Sequence, residues 1–253
     1  MKHIALQSSV VYGPLESRRF GRSLGINLLP ANRRICTFDC VYCQYHDEGA
    51  GGGSGFASLS DLDARLMADF DRVRDASTPI DWIMLSGNGE PTLHPHFAAV
   101  VDRLLELRDS RFPGTPVGIL SNSSTCHKKE VAGALARLDG RFMKLDAGSL
   151  YIFHDVNRPR STLSWGEVIE GLCGLLDVTL QSMFITGRAD NTGDRAVDDW
   201  IEAVRCIRPV EVQVYTIERA PQERGTLPAG AGRLEEISSR LRERTGIRSV
   251  AYC

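Results

Sequence analysis

The stretch Cys36-Thr37-Phe38-Asp39-Cys40-Val41-Tyr42-Cys43 holds three cysteines in eight residues, spaced C-x3-C-x2-C. It follows the aliphatic run Ser23–Leu28, which is typical of a short buried strand. Thiols this close in sequence can converge on one inorganic centre from a single loop. A 4Fe–4S cluster takes four ligands, so three thiolates would leave one iron open to a further ligand. The spacing therefore predicts a cluster-binding loop directly after the first strand.

Other interpretations of the three cysteines remain open at this point. A structural zinc would need a fourth ligand, which His46 could supply, although zinc sites usually come as two separated pairs. Chance clustering of buried cysteines is another possibility. A disulfide is disfavoured because seven cysteines are not an even framework, and 253 residues bury a core without crosslinks. We therefore expect a reduced, intracellular and specifically cytoplasmic protein.

Strand-like and helix-like segments alternate outward from this loop. Alternation of this kind predicts a parallel sheet with right-handed crossovers, and six units are fewer than the eight of a closed barrel. The expected fold class is α/β, a partial six-unit parallel β/α barrel. The expected organisation is an N-terminal arm (1–22), a single barrel core (23–221) and a C-terminal helix and short strand (222–253). The predicted strands are Ser23–Leu28, Trp82–Ser86, Val117–Ser121, Met143–Asp146, Val178–Thr186, Glu211–Ile217 and Ser249–Tyr252.

Amphipathic periodicity locates the helices. In the first, Ser60 and Asp63 form a capping-box-like start. Its apolar residues fall on one face, which predicts that this face is buried. They are Leu62, Leu66, Phe70 and Val73. The predicted helices span about Ser60–Asp75, His96–Arg108, Lys128–Leu138, Ser164–Leu176, Asp194–Ile207 and Gly232–Arg244.

Composition excludes several classes of function. The formal net charge is -2, so there is no global attraction to nucleic acid or to an anionic membrane. No apolar run approaches the roughly 18 residues that a membrane span needs. Charged residues make up 25% of the chain and hydrophobic residues 42%, which is ordinary for a globular protein and excludes dominant disorder.

The cysteine motif, with an aromatic residue before its last cysteine, resembles the signature of the radical S-adenosylmethionine (SAM) enzymes. The resemblance implies that Cys36, Cys40 and Cys43 hold a 4Fe–4S cluster whose open iron is chelated by the amino and carboxylate groups of SAM. It also implies the reaction: one electron from the cluster cleaves SAM to a 5′-deoxyadenosyl radical, which abstracts hydrogen from a substrate. An iron–sulfur enzyme of oxidoreductase or lyase type is expected.

Companion motifs follow the later predicted strands. Ser86-Gly87-Asn88-Gly89-Glu90-Pro91-Thr92 resembles the superfamily's Gly-Gly-Glu-Pro motif, which receives the amino group of SAM, with Asn88 as a departure. Some alternatives stay open: Lys144 and Asp146 could simply pair with neighbours, and the Tyr42 ring could be core packing. The residues that the resemblance assigns to cofactor binding are Tyr42, Gly87, Asn88, Gly89, Glu90, Asn122, Ser124, Lys144, Asp146 and Ile217.

The segments 12–27 and 153–159 are similar to the radical SAM branch that forms wyosine in tRNA. No cysteine precedes Cys36 to hold the second cluster of those relatives, and the net charge is near zero. We therefore favour a small-molecule or peptide substrate, with tRNA as an alternative, and an external electron donor such as flavodoxin or ferredoxin. A cluster-bearing or zinc-binding redox protein without SAM chemistry is the third hypothesis.

Several residues outside the motifs carry weaker expectations. Arg18, Arg19 and Arg22 could meet a phosphate or carboxylate of the substrate, or could form ion pairs; Arg158 and Arg219 share this ambiguity. Gln181 faces the substrate or bridges strands. Cys173 and Cys206 are expected as core thiols, Cys126 is expected near the mouth of the site, and Cys253 has no assigned role. The segment 47–58 is expected to close the barrel as a lid.

Overall fold

The computed structural model describes residues 5–45, 55–160, 162–221 and 223–253. His46 and most of the expected lid lie outside these residues. The described part contains one large sheet and one small antiparallel pair of strands. The strands are β1 (Val11–Ser17), β2 (Gly21–Ile26), β3 (Trp82–Leu85), β4 (Val117–Ser121), β5 (Gly140–Lys144), β6 (Val178–Met183), β7 (Ile185–Gly187), β8 (Glu211–Tyr215), β9 (Thr226–Pro228) and β10 (Ser249–Tyr252).

The large sheet has the strand order β1-β2-β3-β4-β5-β6-β8-β10, while β7 pairs with β9. Strands β2 to β10 of this sheet run parallel, and β1 is added antiparallel to β2. Parallel neighbours joined by helices bring all their carboxyl ends to one edge. The predicted α/β fold, a partial parallel barrel with a single core domain, is confirmed.

Seven α-helices occur in the described residues, and α1 shows why they form where they do. Its apolar residues Leu62, Leu66, Phe70 and Val73 are all buried, as the periodicity predicts. No helix in the described part of the chain is long and apolar enough to cross a membrane. The helices are α1 (Leu59–Asp75), α2 (Phe97–Arg111), α3 (Lys129–Leu135), α4 (Leu150–Val156), α5 (Trp165–Cys173), α6 (Asp194–Ile207) and α7 (Ala231–Thr245).

An aromatic cluster, separate from the main core, occupies the other face of the sheet. Phe20, Met84 and Phe142 pack together there, with Trp82 beside them. The rings of Phe20 and Phe142 meet edge to face with centroids 4.6 Å apart. Phe20 and Met84 of this cluster also lie on the wall of the cavity described below.

Strand predictions were close at most positions, with four errors. The predicted strand Met143–Asp146 begins earlier, at Gly140, and ends at Lys144. The predicted strand Val178–Thr186 is in fact β6 and β7, because the chain leaves the large sheet after Met183. Strands β1 and β9 were missed altogether.

Helix predictions erred mainly at the ends. Helix α1 is capped by Ser58, whose side chain accepts from the Asp61 N–H, and not by Ser60 with Asp63. The predicted helix Lys128–Leu138 ends at Leu135. Helix α4, which has seven residues, was missed. Helix α2 ends at Arg111, three residues after the predicted Arg108, and α5 ends at Cys173, three residues before the predicted Leu176.

The division into arm, core and C-terminal segment stays a proposal. Strand β1 belongs to the predicted arm and β10 to the predicted C-terminal segment, and each is hydrogen-bonded into the large sheet. The two segments are thus joined to the core by backbone pairing as well as by packing.

Candidate active site

The three-cysteine loop is held on one side by the loop that follows β3. The Ile35 N–H donates to the Asn88 carbonyl at 2.9 Å, and the Glu90 N–H donates to the Ile35 carbonyl at 2.9 Å. Gly89 lies between them with a φ of +134°, and a Cβ there would stand 1.9 Å from the Ile35 carbonyl oxygen. Only glycine allows this close approach of two backbones.

On its other side the loop is held by the end of α4. The Asp39 N–H donates to the Asn157 carbonyl at 3.1 Å, and the Val41 N–H donates to the Val156 carbonyl at 3.0 Å. The rings of Phe38 and Phe153 meet edge to face beneath these bonds, 5.3 Å apart. Elements far apart in the sequence therefore fix the path of the cysteine loop.

Each of the three cysteine sulfurs receives its own N–H donor. The Asn122 amide lies 3.4 Å from Cys36 Sγ, and the Asn157 amide lies 3.5 Å from Cys40 Sγ. A guanidinium nitrogen of Arg34 lies 3.6 Å from Cys43 Sγ.

Nitrogen donors on sulfur suit thiolates, whose negative charge strengthens such bonds and which ligate iron clusters. Burial raises the pKa of Cys36 to about 12 and that of Cys40 to about 11. Buried thiols of this kind lose their protons when a metal centre binds, since its positive charge replaces the lost solvation. The donor set therefore fits a cluster carried by three thiolates.

The described residues contain no group of three or more His, Cys, Asp or Glu side chains arranged to hold one metal ion. In such a group all the side chains coordinate one and the same ion. In a 4Fe–4S cluster each thiolate binds a different iron, so the ligands stand farther apart. The zinc alternative depended on His46, which lies outside the described residues.

Glu90 is buried at the centre of a hydrogen-bond network. Its carboxylate accepts from Ser121 Oγ at 3.0 Å, from the Asn122 N–H at 2.5 Å, and from both the N–H and the hydroxyl of Thr92. Burial raises the pKa of Glu90, and these donors oppose that effect. The network holds the carboxylate at the ends of β3 and β4, on the wall of the cavity described below.

Asn88, the departure from the Gly-Gly-Glu-Pro pattern, is fully buried and turned toward the N-terminal segment. Its amide nitrogen donates to the carbonyls of Gln7 and Pro30 at 2.9 Å, and its oxygen accepts from the Gln7 N–H. The side chain fastens residues 7 and 30 against the loop after β3. A glycine at this position would lose these three bonds.

Lys144 and Asp146 lie beside each other, 3.2 Å apart between Nζ and Oδ1. Lys144 also donates to the Tyr215 hydroxyl at 2.8 Å, and its Nζ stands 4.7 Å from the centre of the Tyr42 ring. Burial favours the neutral amine, but the Asp146 carboxylate outweighs it and raises the pKa of Lys144. The Tyr42 hydroxyl donates to Asp146 as well.

A cavity of about 660 Å³ opens at the carboxyl ends of the strands. Cys43 is on its wall, together with residues from β1, β4, β5, β6 and the segment after β8. A volume of this size accommodates a cofactor-sized molecule and part of a second one. The predicted cofactor-binding residues on its wall are Tyr42, Gly89, Glu90, Asn122, Lys144 and Ile217.

Four residues predicted to bind the cofactor are not on that wall. Gly87 and Asn88 lie behind it, where a Cβ on Gly87 would stand 2.4 Å from Asn27 Oδ1. Ser124 accepts from the Thr37 hydroxyl at 2.7 Å, and the Asp146 carboxylate accepts from the Tyr42 hydroxyl. These residues support the wall from behind.

The residues with weaker expectations are now located. Gln181 bridges strands, donating to Gln213 at 2.9 Å, and also reaches the cavity wall. Arg18 contacts Glu218, Arg22 lies 3.6 Å from Asp81, and Arg158 contacts Glu223. Arg19 and Arg219 are on the wall of the cavity.

Expectations for the other cysteines were wrong at three positions. Cys173 and Cys206 are exposed rather than in the core, because they lie on the outer faces of α5 and α6. Cys126 is buried under α5, donating to the Ser123 carbonyl at 2.9 Å, and does not face the cavity. Cys253 is exposed.

A family comparison identifies this arrangement. The model of the radical SAM superfamily matches residues 33–217, nearly three quarters of the chain. The chain belongs to the radical SAM superfamily. Members of this superfamily use a 4Fe–4S cluster and SAM, and membership makes this protein an enzyme. The donor set on the three sulfurs agrees with the first of these cofactors.

Solved structures support the same fold for this radical SAM protein. A radical SAM methyltransferase from Sphaerobacter thermophilus superposes with a TM-score of 0.65 at 16% identity, covering 91% of this chain and 65% of the other. TYW1 with a lysine–pyruvate adduct bound gives 0.66 at 12% identity, covering 88% and 74%. At these identities the likeness concerns the fold alone.

Curated relatives are similar over most of this chain. A UPF0026 protein of Helicobacter pylori strain J99 is 30% identical over 219 residues, which is 83% of this chain and 67% of that protein. The GTPase Obg of Brachyspira hyodysenteriae is 27% identical over 217 residues, or 85% of this chain but 31% of that protein. The radical SAM chain thus spans only part of the length of these relatives.

Three residues donate to the cysteine sulfurs of this radical SAM protein. The sequence did not identify two of them, Arg34 and Asn157, as functional residues. Arg34 precedes the motif by two residues, and its buried position was not predictable from a polar loop sequence. Asn157 was noted only as part of a resemblance. Arg34 could have been identified from its place in the sequence, because an arginine next to three thiols can balance the negative charge of thiolates.

Proposed function

We propose that this protein cleaves SAM reductively and abstracts hydrogen from a small-molecule or peptide substrate, as an iron–sulfur enzyme of oxidoreductase or lyase type. The observation that carries the proposal is the set of three cysteine sulfurs, each with its own N–H donor, beside the cavity at the carboxyl ends of the strands. When bound, the cluster and SAM supply a 5′-deoxyadenosyl radical for hydrogen abstraction. The chain's own residues bind, orient and shield the reactants.

In this proposal Cys36, Cys40 and Cys43 hold the cluster. The Glu90 carboxylate, fixed by its network, provides negative charge for the amino group of SAM, and Lys144 provides positive charge for its carboxylate. The two charges line one cavity, Glu90 from the loop after β3 and Lys144 from the end of β5, which suits a zwitterion. The further residues proposed to contact or support SAM are Tyr42, Gly87, Asn88, Gly89, Asn122, Ser124, Asp146 and Ile217.

The cavity supports a small substrate. SAM would take much of the 660 Å³, and the remainder suits a small molecule or one peptide side chain. A net charge of -2 gives no general attraction to RNA. We further propose a cytoplasmic protein that receives its electron from an external donor such as flavodoxin or ferredoxin.

A tRNA substrate is the second candidate, and fold similarity is the observation that favours it. Archaeal TYW1 superposes on 88% of this chain with a TM-score of 0.60 at 11% identity. A filter-binding assay with bulk tRNA separates the two candidates. Retention of tRNA at physiological salt, lost on addition of a basic-site competitor such as heparin, would favour the RNA substrate.

Anaerobic reconstitution tests the main proposal. The protein is loaded with iron and sulfide, then given SAM and dithionite, and 5′-deoxyadenosine is measured. We expect a brown chromophore and 5′-deoxyadenosine from the wild type, and neither from Cys40→Ala. Cys206→Ala is the matched control, because it removes an exposed thiol on α6, outside the cysteine loop.

Two results would contradict the proposal. A chromophore without any 5′-deoxyadenosine, even with substrate-containing extract, would indicate a redox protein without SAM chemistry. Cleavage of SAM that survives in Cys40→Ala would remove the cluster assignment.

A further inference from the structure

Arg19 differs from the two arginines near it in the sequence. Arg18 contacts the Glu218 carboxylate and Arg22 lies beside Asp81, so both have their charges balanced by neighbours. Among the described residues, no carboxylate forms an ion pair with Arg19. The Nη1 atom of Arg19 is buried and has no protein hydrogen-bond partner.

Aromatic rings fix the position of the Arg19 guanidinium. Its central carbon stands 4.4 Å from the centre of the Tyr215 ring and 5.5 Å from that of Phe20. Stacking on a ring face holds the planar group in one orientation and leaves its N–H edges free to donate. Arg19 is one of the residues that form the wall of the cavity.

A buried guanidinium nitrogen without an acceptor is costly, because burial removes its water and nothing replaces it. The other buried cation of the cavity, Lys144, is already balanced by Asp146. Tyr215 lies between the two cations, stacked on Arg19 and accepting from Lys144. Unlike Lys144, Arg19 therefore lies on this wall without a carboxylate partner among the described residues.

We infer that Arg19 binds an oxyanion of the substrate, a phosphate or a carboxylate, inside the cavity. The inference rests on the proposed function, since it places the substrate in the cavity that SAM shares. The planar N–H fork of arginine matches two oxygens of either group, and stacking on Tyr215 presents that fork in a fixed orientation. The substrate class is accordingly a small anion-bearing molecule or an acidic peptide.

Anion binding can be measured without turnover. Reconstituted protein saturated with SAM, without reductant, is titrated with inorganic phosphate in one arm and with acetate in the other, using calorimetry. We expect binding of at least one of the two anions by the wild type. In Arg19→Gln that affinity falls about tenfold or more, the effect of losing hydrogen bonds to a charged group.

Two further variants keep the test decisive. Arg22→Gln removes a charge three residues away that is outside the cavity wall, and we expect its anion affinity to equal that of the wild type. Arg19→Lys keeps the charge but not the fork, so it should bind more tightly than Arg19→Gln and less tightly than the wild type. Arg19→Lys also serves if Arg19→Gln does not fold.

The outcomes separate the subsite from the radical chemistry. If neither anion binds the wild type, or if both Arg19 variants bind the anions as well as the wild type, the subsite is overturned. If the anion binds the reconstituted protein in a separate arm without SAM and added SAM then displaces it competitively, Arg19 serves the carboxylate of SAM and the substrate assignment is overturned. Formation of 5′-deoxyadenosine by the wild type is scored independently, so the proposed function stands or fails on that measurement alone.

Discussion

The Asp146 carboxylate joins several elements at one buried point. It accepts from the Asn157 amide at 2.7 Å, from the Met183 N–H at 2.8 Å and from the Tyr42 hydroxyl. Lys144 lies 3.2 Å away, and the Asp146 side chain is 0% exposed. Since Asn157 also reaches Cys40 Sγ, the carboxylate helps to place a donor on a sulfur.

Replacing Asp146 with Asn should destabilise the protein by about 3 kcal/mol, because the charge on Lys144 would remain partly buried without its partner. Adding Lys144→Met should recover part of that loss in a double-mutant cycle. Urea denaturation of the cluster-free protein gives the free energies of unfolding. Asp109→Asn is the control: its exposed pair with Arg108 should contribute less than about 1 kcal/mol. Equal losses in Asp146→Asn and Asp109→Asn would contradict a buried ion pair.

The sequence predicted the cysteines that would ligate the cluster better than it predicted the residues that donate hydrogen bonds to their sulfurs. The thiols at Cys36, Cys40 and Cys43 were identifiable because all three lie in one loop, so short-range spacing carried the signal. The amide of Asn157 reaches Cys40 across 117 positions of sequence, and no local pattern encodes such a contact. Arg34 is closer in sequence to the sulfur that it contacts, but its burial depends on how the cysteine loop folds back onto it.

The cysteine loop and the loop after β3 act as one structural element. Their backbones exchange two hydrogen bonds around Ile35, and Gly89 permits the approach. Glu90 follows directly and is fixed by the ends of β3 and β4. Any change that separates the two loops should therefore affect both the thiols and the carboxylate.

Gly89→Ala tests this coupling. The added Cβ would meet backbone rather than a movable side chain, so we expect a loss of about 3 kcal/mol in the free energy of unfolding and much weaker iron incorporation. Gly114→Ala is a matched control: Gly114 also has a positive φ, +83°, but nothing lies within 4 Å of its Cβ position. It should cost about 1 kcal/mol and load iron normally.

Iron content by a chelator assay and urea denaturation measure the two effects. Normal iron incorporation in Gly89→Ala would show that the two loops are not coupled. A loss as large in Gly114→Ala would attribute the effect to backbone strain alone.

At the element scale, periodicity located most helices because one face of each is buried against the sheet. Helix α6, for example, spans Asp194–Ile207 as predicted. Strand β1 escaped prediction because Gly13 and Pro14 interrupt it, and its pairing with β2 shifts register between Tyr12 and Leu15. Proline and glycine normally argue against a strand, and here tertiary pairing overrides that preference.

The whole molecule is a barrel that does not close by strand pairing. Strands β1 and β10 are the two edges of the large sheet. Side-chain contacts bridge this opening: Arg18, in the turn between β1 and β2, reaches both the Glu218 carboxylate and the Cys253 carbonyl. The alternation of strands and helices in the sequence predicted the order of the central strands. It did not predict the contacts that Arg18 makes between the two edge strands, because these depend on the curvature of the sheet.

The stability of the cluster-free protein should decline steeply in alkali. Burial raises the pKa of Cys36 and Cys126 to about 12 and that of Cys40 to about 11, against a reference value of 9.0. An unfolded chain therefore releases these protons at lower pH than the folded one. The stabilisation is complete below about pH 9 and is lost as the pH rises toward 11 to 12.

Cys126→Ala isolates one contribution, because this thiol is buried outside the cysteine loop. Each buried thiol contributes up to about 1.4 kcal/mol per pH unit within the window. We therefore expect a plot of unfolding free energy against pH, measured in urea from pH 8 to 11 with a reductant present, to fall less steeply in Cys126→Ala than in the wild type. Cys206→Ala, which removes an exposed thiol, should keep the wild-type slope. Identical slopes in all three proteins would mean that the Cys126 thiol ionises as readily in the folded chain as in the unfolded one, and that the space beneath α5 admits water.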